Sequence, residues 1–136
     1  GPRTVTGIAY ALATYLDANS STLTAGTNLW VGRMQESPDL AVVVNEYAGD
    51  QPQFLMGPTA LDSHRVEVAV RSSRDDYETG RALCEAIRAL FDALPPGTYS
   101  GLSVLRVPPI DTVAALGPDR NERPRFTARF APVVQR

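Results

Sequence analysis

The run Leu40-Ala41-Val42-Val43-Val44 constrains the fold more than any other stretch of the chain. It opens a strand that reads from Leu40 to Tyr47, and over its first half both faces of the extended backbone are apolar. A central strand with cover on both sides reads this way. Arg65-Val66-Glu67-Val68-Ala69-Val70-Arg71 behaves differently: valines alternate with Arg65, Glu67 and Arg71, so one face goes to a core and the other points outward. The chain has to build a sheet with at least one layer packed against it.

Two helices supply that layer. Val5, Ile8, Ala9, Leu12 and Leu16 recur at helical spacing and predict a helix over about 4–18, with Thr4 placed to cap it. The second helix is the clearest element. Ser73 is placed to cap it, Asp75, Asp76 and Glu78 sit where the helix dipole favours negative charge, and Leu83, Ile87, Leu90 and Leu94 form the stripe expected to be buried. Pro95-Pro96-Gly97 ends it. On its far side Glu78, Arg81, Glu85, Arg88 and Asp92 alternate in sign, which suits a solvated face. Further strands are expected at 29–33, at 102–107, within a short segment at 110–116, and from Arg125 to about Val134. The predicted class is α+β, a single mixed and largely antiparallel sheet packed with two main helices in the order α-β-β-β-α-β-(β)-β, as one domain over 1–136.

Absences prune the chemistry. All thirteen basic residues are arginine, so the phosphate-loop lysine and the Schiff-base lysine are missing. The lone Cys84 excludes an intrachain disulfide, and with the lone His64 it cannot furnish a zinc site. The thirteen basic residues against fifteen acidic ones create no domain-wide field toward DNA or an anionic membrane. No apolar run approaches the roughly 18 residues that would span a bilayer, and no signal-type segment opens the chain, so a soluble, non-exported protein without membrane contact is expected.

Asp62-Ser63-His64 contains triad residue types, yet consecutive residues in extended chain point to opposite faces and cannot form the relay by themselves. Asp75, Asp76 and Glu78 are accounted for by their helix terminus rather than by a metal. Cys84 lies beside the helical stripe without an activating cation and reads as packing. Residues 48–63 are more informative: sixteen residues join two strands, and Phe54-Leu55-Met56 stands between Pro52 and Gly57-Pro58. Together with Ala41 and Val43, expected to leave the outer face of the central strand apolar, this segment points to self-association or docking. A fold-back of the three side chains onto their own core is the alternative.

In the last strand Phe126, Ala128 and Phe130 share one face, and Arg125, Thr127 and Arg129 share the other, which also carries Glu67. The preceding turn adds Asp119, Arg120, Glu122 and Arg123. This charge-mixed row suits bidentate arginine–carboxylate pairing across a subunit boundary, whereas a DNA reader would want a continuous positive stripe; an ordinary solvated sheet face and lumen contact with passing DNA are the alternatives.

The succession "VVVNEYAGDQP", "HRVEVAVRSSRDDYETGRALCEAIRALFDAL", "PPGTYSGLSV" and "AALGPDRNERPRFTARFAPVV" resembles the tail terminator, or minor capsid, proteins of long-tailed bacteriophages over nearly the whole chain. The chain departs from that pattern at Asn121-Glu122, where a glycine before the arginine is common. The resemblance implies a structural virion protein without catalysis or cofactor. Such a protein forms a ring, usually a hexamer, on the head-proximal end of the tail tube, stops tube polymerisation and joins the neck, while DNA passes through the hole without sequence-specific binding. Its implied partners are further copies of itself, the tail tube protein and a neck or head-completion protein. Its implied location is the virion, and the host cytoplasm during assembly. A neck or head-completion connector is the neighbouring alternative. A nucleic-acid-binding module would need the arginines of several strands to converge on one face with stacking aromatics.

Overall fold

The computed structural model describes residues 7–47, 53–54 and 60–135, with the backbone alone at Gln53, Phe54, Ala60, Asp62 and Ser63. In chain order the elements are α1 (Ile8–Asn19), β1 (Leu29–Val31), β2 (Ala41–Tyr47), β3 (Gln53–Phe54), β4 (Ala60–Ser63), β5 (Arg65–Arg71), α2 (Tyr77–Asp92), β6 (Gly97–Tyr99), β7 (Leu102–Arg106), β8 (Ala114–Ala115), β9 (Arg125–Phe130) and β10 (Val133–Gln135).

The class is α+β, but the strands divide between two sheets instead of the single one expected. The first has the order β1-β2-β5-β9-β8 and the second β3-β4-β10-β7-β6. Among the described strands β1 and β2 pair in parallel and the other strand pairings are antiparallel, and an isolated parallel bridge joins Ala25 to Leu29. The division comes from a shared bend. β4 runs into β5 at His64 and β9 runs into β10 at Ala131-Pro132, where the His64 N–H donates to the Pro132 carbonyl at 2.9 Å. Proline lacks the N–H that would continue the ladder, so the strand expected to run from Arg125 to Val134 changes sheet at Pro132. The 48–63 connection likewise carries β3 and β4, which pair with each other and attach through β4 to β10. Asp62 and Ser63 are register partners of Val134 and Val133.

Both helices lie on one face of the first sheet. Leu12 and Leu16 of α1 and Ile87 and Phe91 of α2 share a core with Val42, Val44, Val66, Val68, Val70, Phe126 and Phe130. Phe91 and Phe130 meet edge to face with centroids 4.9 Å apart. The buried stripe of α2 is Gly80, Cys84, Ile87 and Phe91, one position away from much of the expected set, while Leu83 and Leu90 are half-buried. Gly80 sets this rotation: a Cβ there would lie 2.6 Å from Ser72 Oγ and 2.8 Å from a Phe126 ring carbon, so only glycine lets the helix approach the sheet so closely. Burial pushes the Cys84 thiol up to about 12, with Glu85 adding to the shift and Arg81 opposing it, which leaves an unreactive packing group.

The helix starts also differ from expectation. Thr4 lies outside the described residues, and Gly7 stands at the N-cap of α1, where Glu46 Oε1 accepts from the Ala9 N–H at 3.3 Å. Asp76, not Ser73, occupies the N-cap of α2; the Ser73 carbonyl instead accepts from the Asp76 N–H in the preceding turn.

Candidate subunit interface

Among the described residues no helix lies on the other face of the first sheet, and cross-strand register arranges its side chains in three rows. Trp30, Val43, Ala69, Thr127 and Ala114 form the middle row; Ala41, Arg71 and Arg125 lie toward one end; Asn45, Glu67 and Arg129 lie toward the other.

Ala41 and Val43 do not offer the apolar surface expected of them. They are 0% and 5% exposed within the single chain. At the Ala41 end of the face Arg71 reaches over to a loop: its Nε donates to the Asp39 carbonyl at 3.0 Å and its Nη2 to the carbonyls of Gln35 and Pro38 at 2.8 and 2.7 Å. Sequence alternation marks Arg71 as outward-pointing, and so it is, yet it is only 5% exposed because residues 35–39 fold across it.

Arg123 holds the same loop from a second side. Its Nε donates to Asp119 Oδ2 at 2.9 Å, its Nη1 to the Glu36 carbonyl at 2.8 Å and to Asp39 Oδ1 at 3.3 Å, and its Nη2 to Glu36 Oε2 at 3.0 Å. Asp119 Oδ1 also accepts from the N–H groups of Asn121 and Arg123, both at 2.9 Å. Burial alone would raise the Asp119 pKa, but these two N–H groups and the Arg123 guanidinium outweigh it and hold the carboxyl below its ordinary value. Burial lowers the pKa of Arg71, and the neighbouring Arg123 adds to that shift against the pull of Glu36, Asp119 and Asp39. The turn keeps its shape at the Asn121-Glu122 departure because Glu122 itself takes the left-handed conformation, φ 62°, that a glycine would adopt freely. A polar depression of about 400 Å³ remains between loop and turn, lined by Met34, Arg71, Asp119, Arg120, Arg123 and Arg125 among others.

Arg125 and Arg129 are both exposed, as the alternation of the last strand requires. Their partners differ from expectation. Arg129 faces Glu67 across the β5–β9 ladder, but it forms its ion pair with Asp111, to which its Nε donates at 2.9 Å. Hydrogen bonding and charge from Asp111 raise its pKa, with smaller contributions from Tyr47 and Glu67. Arg125 Nε donates to the Gly117 carbonyl at 3.2 Å, and among the described residues no carboxylate pairs with it. The side chain of Phe54 and the whole of Leu55 and Met56 lie outside the described residues.

Sequence reasoning missed Asp111, Glu36 and Asp39 as partners. The Asp119-x-x-x-Arg123 spacing beside a proline-opened turn was the available signal for the buried pair. Among the described residues, no three His, Cys, Asp or Glu side chains come together to hold a metal, and no helix is long and apolar enough to cross a membrane.

Residues 15–135 match a family model described as bacteriophage tail terminator protein. Among solved structures, a chain of a native gene transfer agent virion particle superposes with a TM-score of 0.70 at 14% identity, covering 95% of this chain and 95% of its own. A second solved chain aligns over 94% of this chain and 96% of its own at 12% identity, with a TM-score of 0.47 too low to carry weight. No curated protein sequence matches the chain.

Proposed function

The chain belongs to the bacteriophage tail terminator family, and from that premise we propose that it forms a ring, most simply a hexamer, that caps the head-proximal end of the tail tube, stops tube polymerisation and joins the neck. As a member of this family it is a structural protein of a phage tail and is located in the virion. The match over 15–135, which takes in all but the first turns of α1, carries this reading. The helix-free sheet face supports it. That face is mixed in charge and braced from within by Arg71 and Arg123, and Arg125 projects from it with no carboxylate partner among the described residues. Such a surface suits ion pairing across a subunit boundary better than a continuous phosphate track. DNA then passes through the ring without base-specific contact.

On this reading, the purified protein needs neither metal nor nucleotide and has no hydrolase activity. Phe54, Leu55 and Met56 supply an additional contact to the tube. Electron microscopy of the protein mixed with tail tubes tests the proposal: rings at one tube end are expected for the wild type. Replacing Phe54, Leu55 and Met56 by serine should abolish attachment and leave the melting temperature unchanged. Tubes that keep growing in the presence of wild-type protein would sink the reading, and unfolding of the triple variant would return those side chains to the core.

A further inference from the structure

The first sheet ends at β8 and at β1. On the outer side of β1 an isolated bridge joins Ala25 to Leu29, whose carbonyl accepts from the Gly26 N–H at 2.9 Å, so this edge is open at Val31, and the two open positions complement each other. In the β8–β9 ladder the Leu116 N–H donates to the Arg125 carbonyl, and Ala114 pairs with Thr127, so by antiparallel alternation the N–H and C=O of Ala115 point away from β9 into the open. At the opposite edge the Gly32 N–H donates to the Val44 carbonyl and the Asn28 carbonyl accepts from the Val42 N–H, so Val31 likewise turns its N–H and C=O away from β2. The strand directions fit as well. β1 runs with β2, β5 against it, β9 with it and β8 against it. A copy placed beside β8 with its sheet continuing in the same sense therefore presents its β1 antiparallel to β8.

Side chains follow the same pattern. Ala115 is the register partner of Phe126 and Val31 of Val44, and both partners belong to the core on the helix side. Ala115 and Val31 thus project on the same face of a continued sheet. On that face, next to Ala115, lies an open depression of about 320 Å³ lined by Tyr77, Ala115 and Pro124 together with the charged Asp75, Glu122 and Arg125, among others. Val31 is 45% exposed, Tyr77 47% and Leu116 52%, so each edge leaves apolar area uncovered.

We propose that neighbouring copies join by antiparallel pairing of β8 of one with β1 of the next, with Val31 opposite Ala115 and its side chain seated in the depression beside Tyr77. This rests on the ring reading and supplies its subunit contact. The two edges are different surfaces, so the contact is head to tail and repeats around a closed ring. Rotation about an axis along the strands preserves strand direction and keeps the helices of every copy on one side, as a cyclic assembly requires.

Val31→Cys combined with Ala115→Cys tests it. Directly opposed residues of a hydrogen-bonded antiparallel pair have Cα atoms about 5.5 Å apart, within disulfide reach, and the buried Cys84 thiol does not compete. Mild oxidation of the double variant, alone and on tail tubes, should give a ladder of covalent oligomers in denaturing gels ending at the ring number, while neither single variant gives a ladder. Ala115→Pro removes an N–H that points away from β9, and should abolish assembly without lowering the melting temperature; should it unfold the protein, the cysteine pair alone decides. Rings that form without the covalent ladder would overturn the edge pairing and leave the ring reading standing. A ladder of open chains that never closes would support the pairing and overturn the ring. A monomer at every concentration and on tubes, without cross-link, would overturn both.

Discussion

Arg71 and Arg125 sit directly opposite each other on adjacent strands, point to the same side of the sheet, and meet different fates. Arg71 is buried under the 35–39 loop and donates to three carbonyls of that loop; Arg125 stands in solvent with one carbonyl partner. Strand alternation assigns a side chain to a face, and the loop that crosses the face decides whether it stiffens the subunit or remains free for a neighbour. The same contrast separates Arg123, 6% exposed and held by Asp119, Glu36 and Asp39, from Arg129, which is exposed and paired with Asp111. One pair braces the surface and the other is displayed on it.

The contrast breaks most visibly at Arg123. Arg123→Ala leaves Asp119 half-satisfied and frees Glu36 and the 35–39 loop, and should destabilise the chain by about 3 kcal/mol, the cost of removing one partner from a largely buried ion pair. Arg125→Ala should change stability by less than about 0.5 kcal/mol. Urea denaturation of both variants measures the gap. Equal effects would mean that the 35–39 loop does not depend on its clamp.

Asp119 sharpens the same comparison through pH. Its carboxyl is held below its ordinary value of 3.8 in the folded chain, so its charged form stabilises the fold above that value, and the contribution is lost as pH falls through the folded pKa. Asp119→Asn should therefore cost about 1 to 2 kcal/mol at neutral pH, the worth of hydrogen bonds to a charged acceptor. The gap to the wild type should close as pH drops below 3.8. Melting curves across that range check this, and a gap that widened on acidification would reverse the sign of the coupling.

Much of the frame was legible in the sequence because periodicity carries it. β5 has the expected bounds, and the Phe126, Ala128 and Phe130 face is buried as its alternation requires. What escaped depends on contacts distant in sequence. Pro132 moves the end of the last strand into a second sheet, and nothing local shows which strand it will then join. Gly80 turns α2 so that Phe91 takes the place expected of Leu90, because the choice is set by Ser72 and Phe126 across the interface. The covered state of Ala41 and Val43 was unreadable for the same reason. A two-sided apolar strand demands cover, but whether that cover is the chain's own loop or another subunit is a tertiary fact. Of the candidate interface, Arg125 and Arg129 were readable as exposed, whereas the pairing of Arg129 with Asp111 depends on the 110–116 segment folding along β9.

The displayed pair gives a smaller effect on stability. Arg125→Glu with Arg129→Glu should leave the unfolding midpoint nearly unchanged, since exposed charges contribute little. It should nevertheless block ring formation and leave DNA retention at low salt unchanged. Sedimentation and microscopy of the double variant decide the point. Intact rings would return the row to an ordinary solvated face, and selective loss of DNA retention would place it against the passing duplex.

The smallest effect is expected at Glu122, in the turn that delivers Arg123 to its partners. Its φ of 62° strains a residue with a side chain, at a cost of roughly 1 kcal/mol that glycine would relieve. Glycine also gives the unfolded chain more freedom, which costs about 0.4 to 1 kcal/mol, and removes the exposed ion pair in which Arg74 Nη2 and Glu122 Oε2 lie 2.6 Å apart. An exposed pair of this kind contributes about 0.2 to 1 kcal/mol. These opposed quantities leave Glu122→Gly between about 0.4 kcal/mol more stable and about 1 kcal/mol less stable than the wild type. Glu122→Gln keeps the strain and loses only the charge, so the difference between the two variants isolates the backbone contribution. If Glu122→Gly is stabilising by well over 1 kcal/mol, the left-handed residue is a larger store of strain than its geometry implies. If it is destabilising by as much, the ion pair to Arg74 braces the turn, and the clamp on the 35–39 loop extends through Glu122 to the connection between β5 and α2.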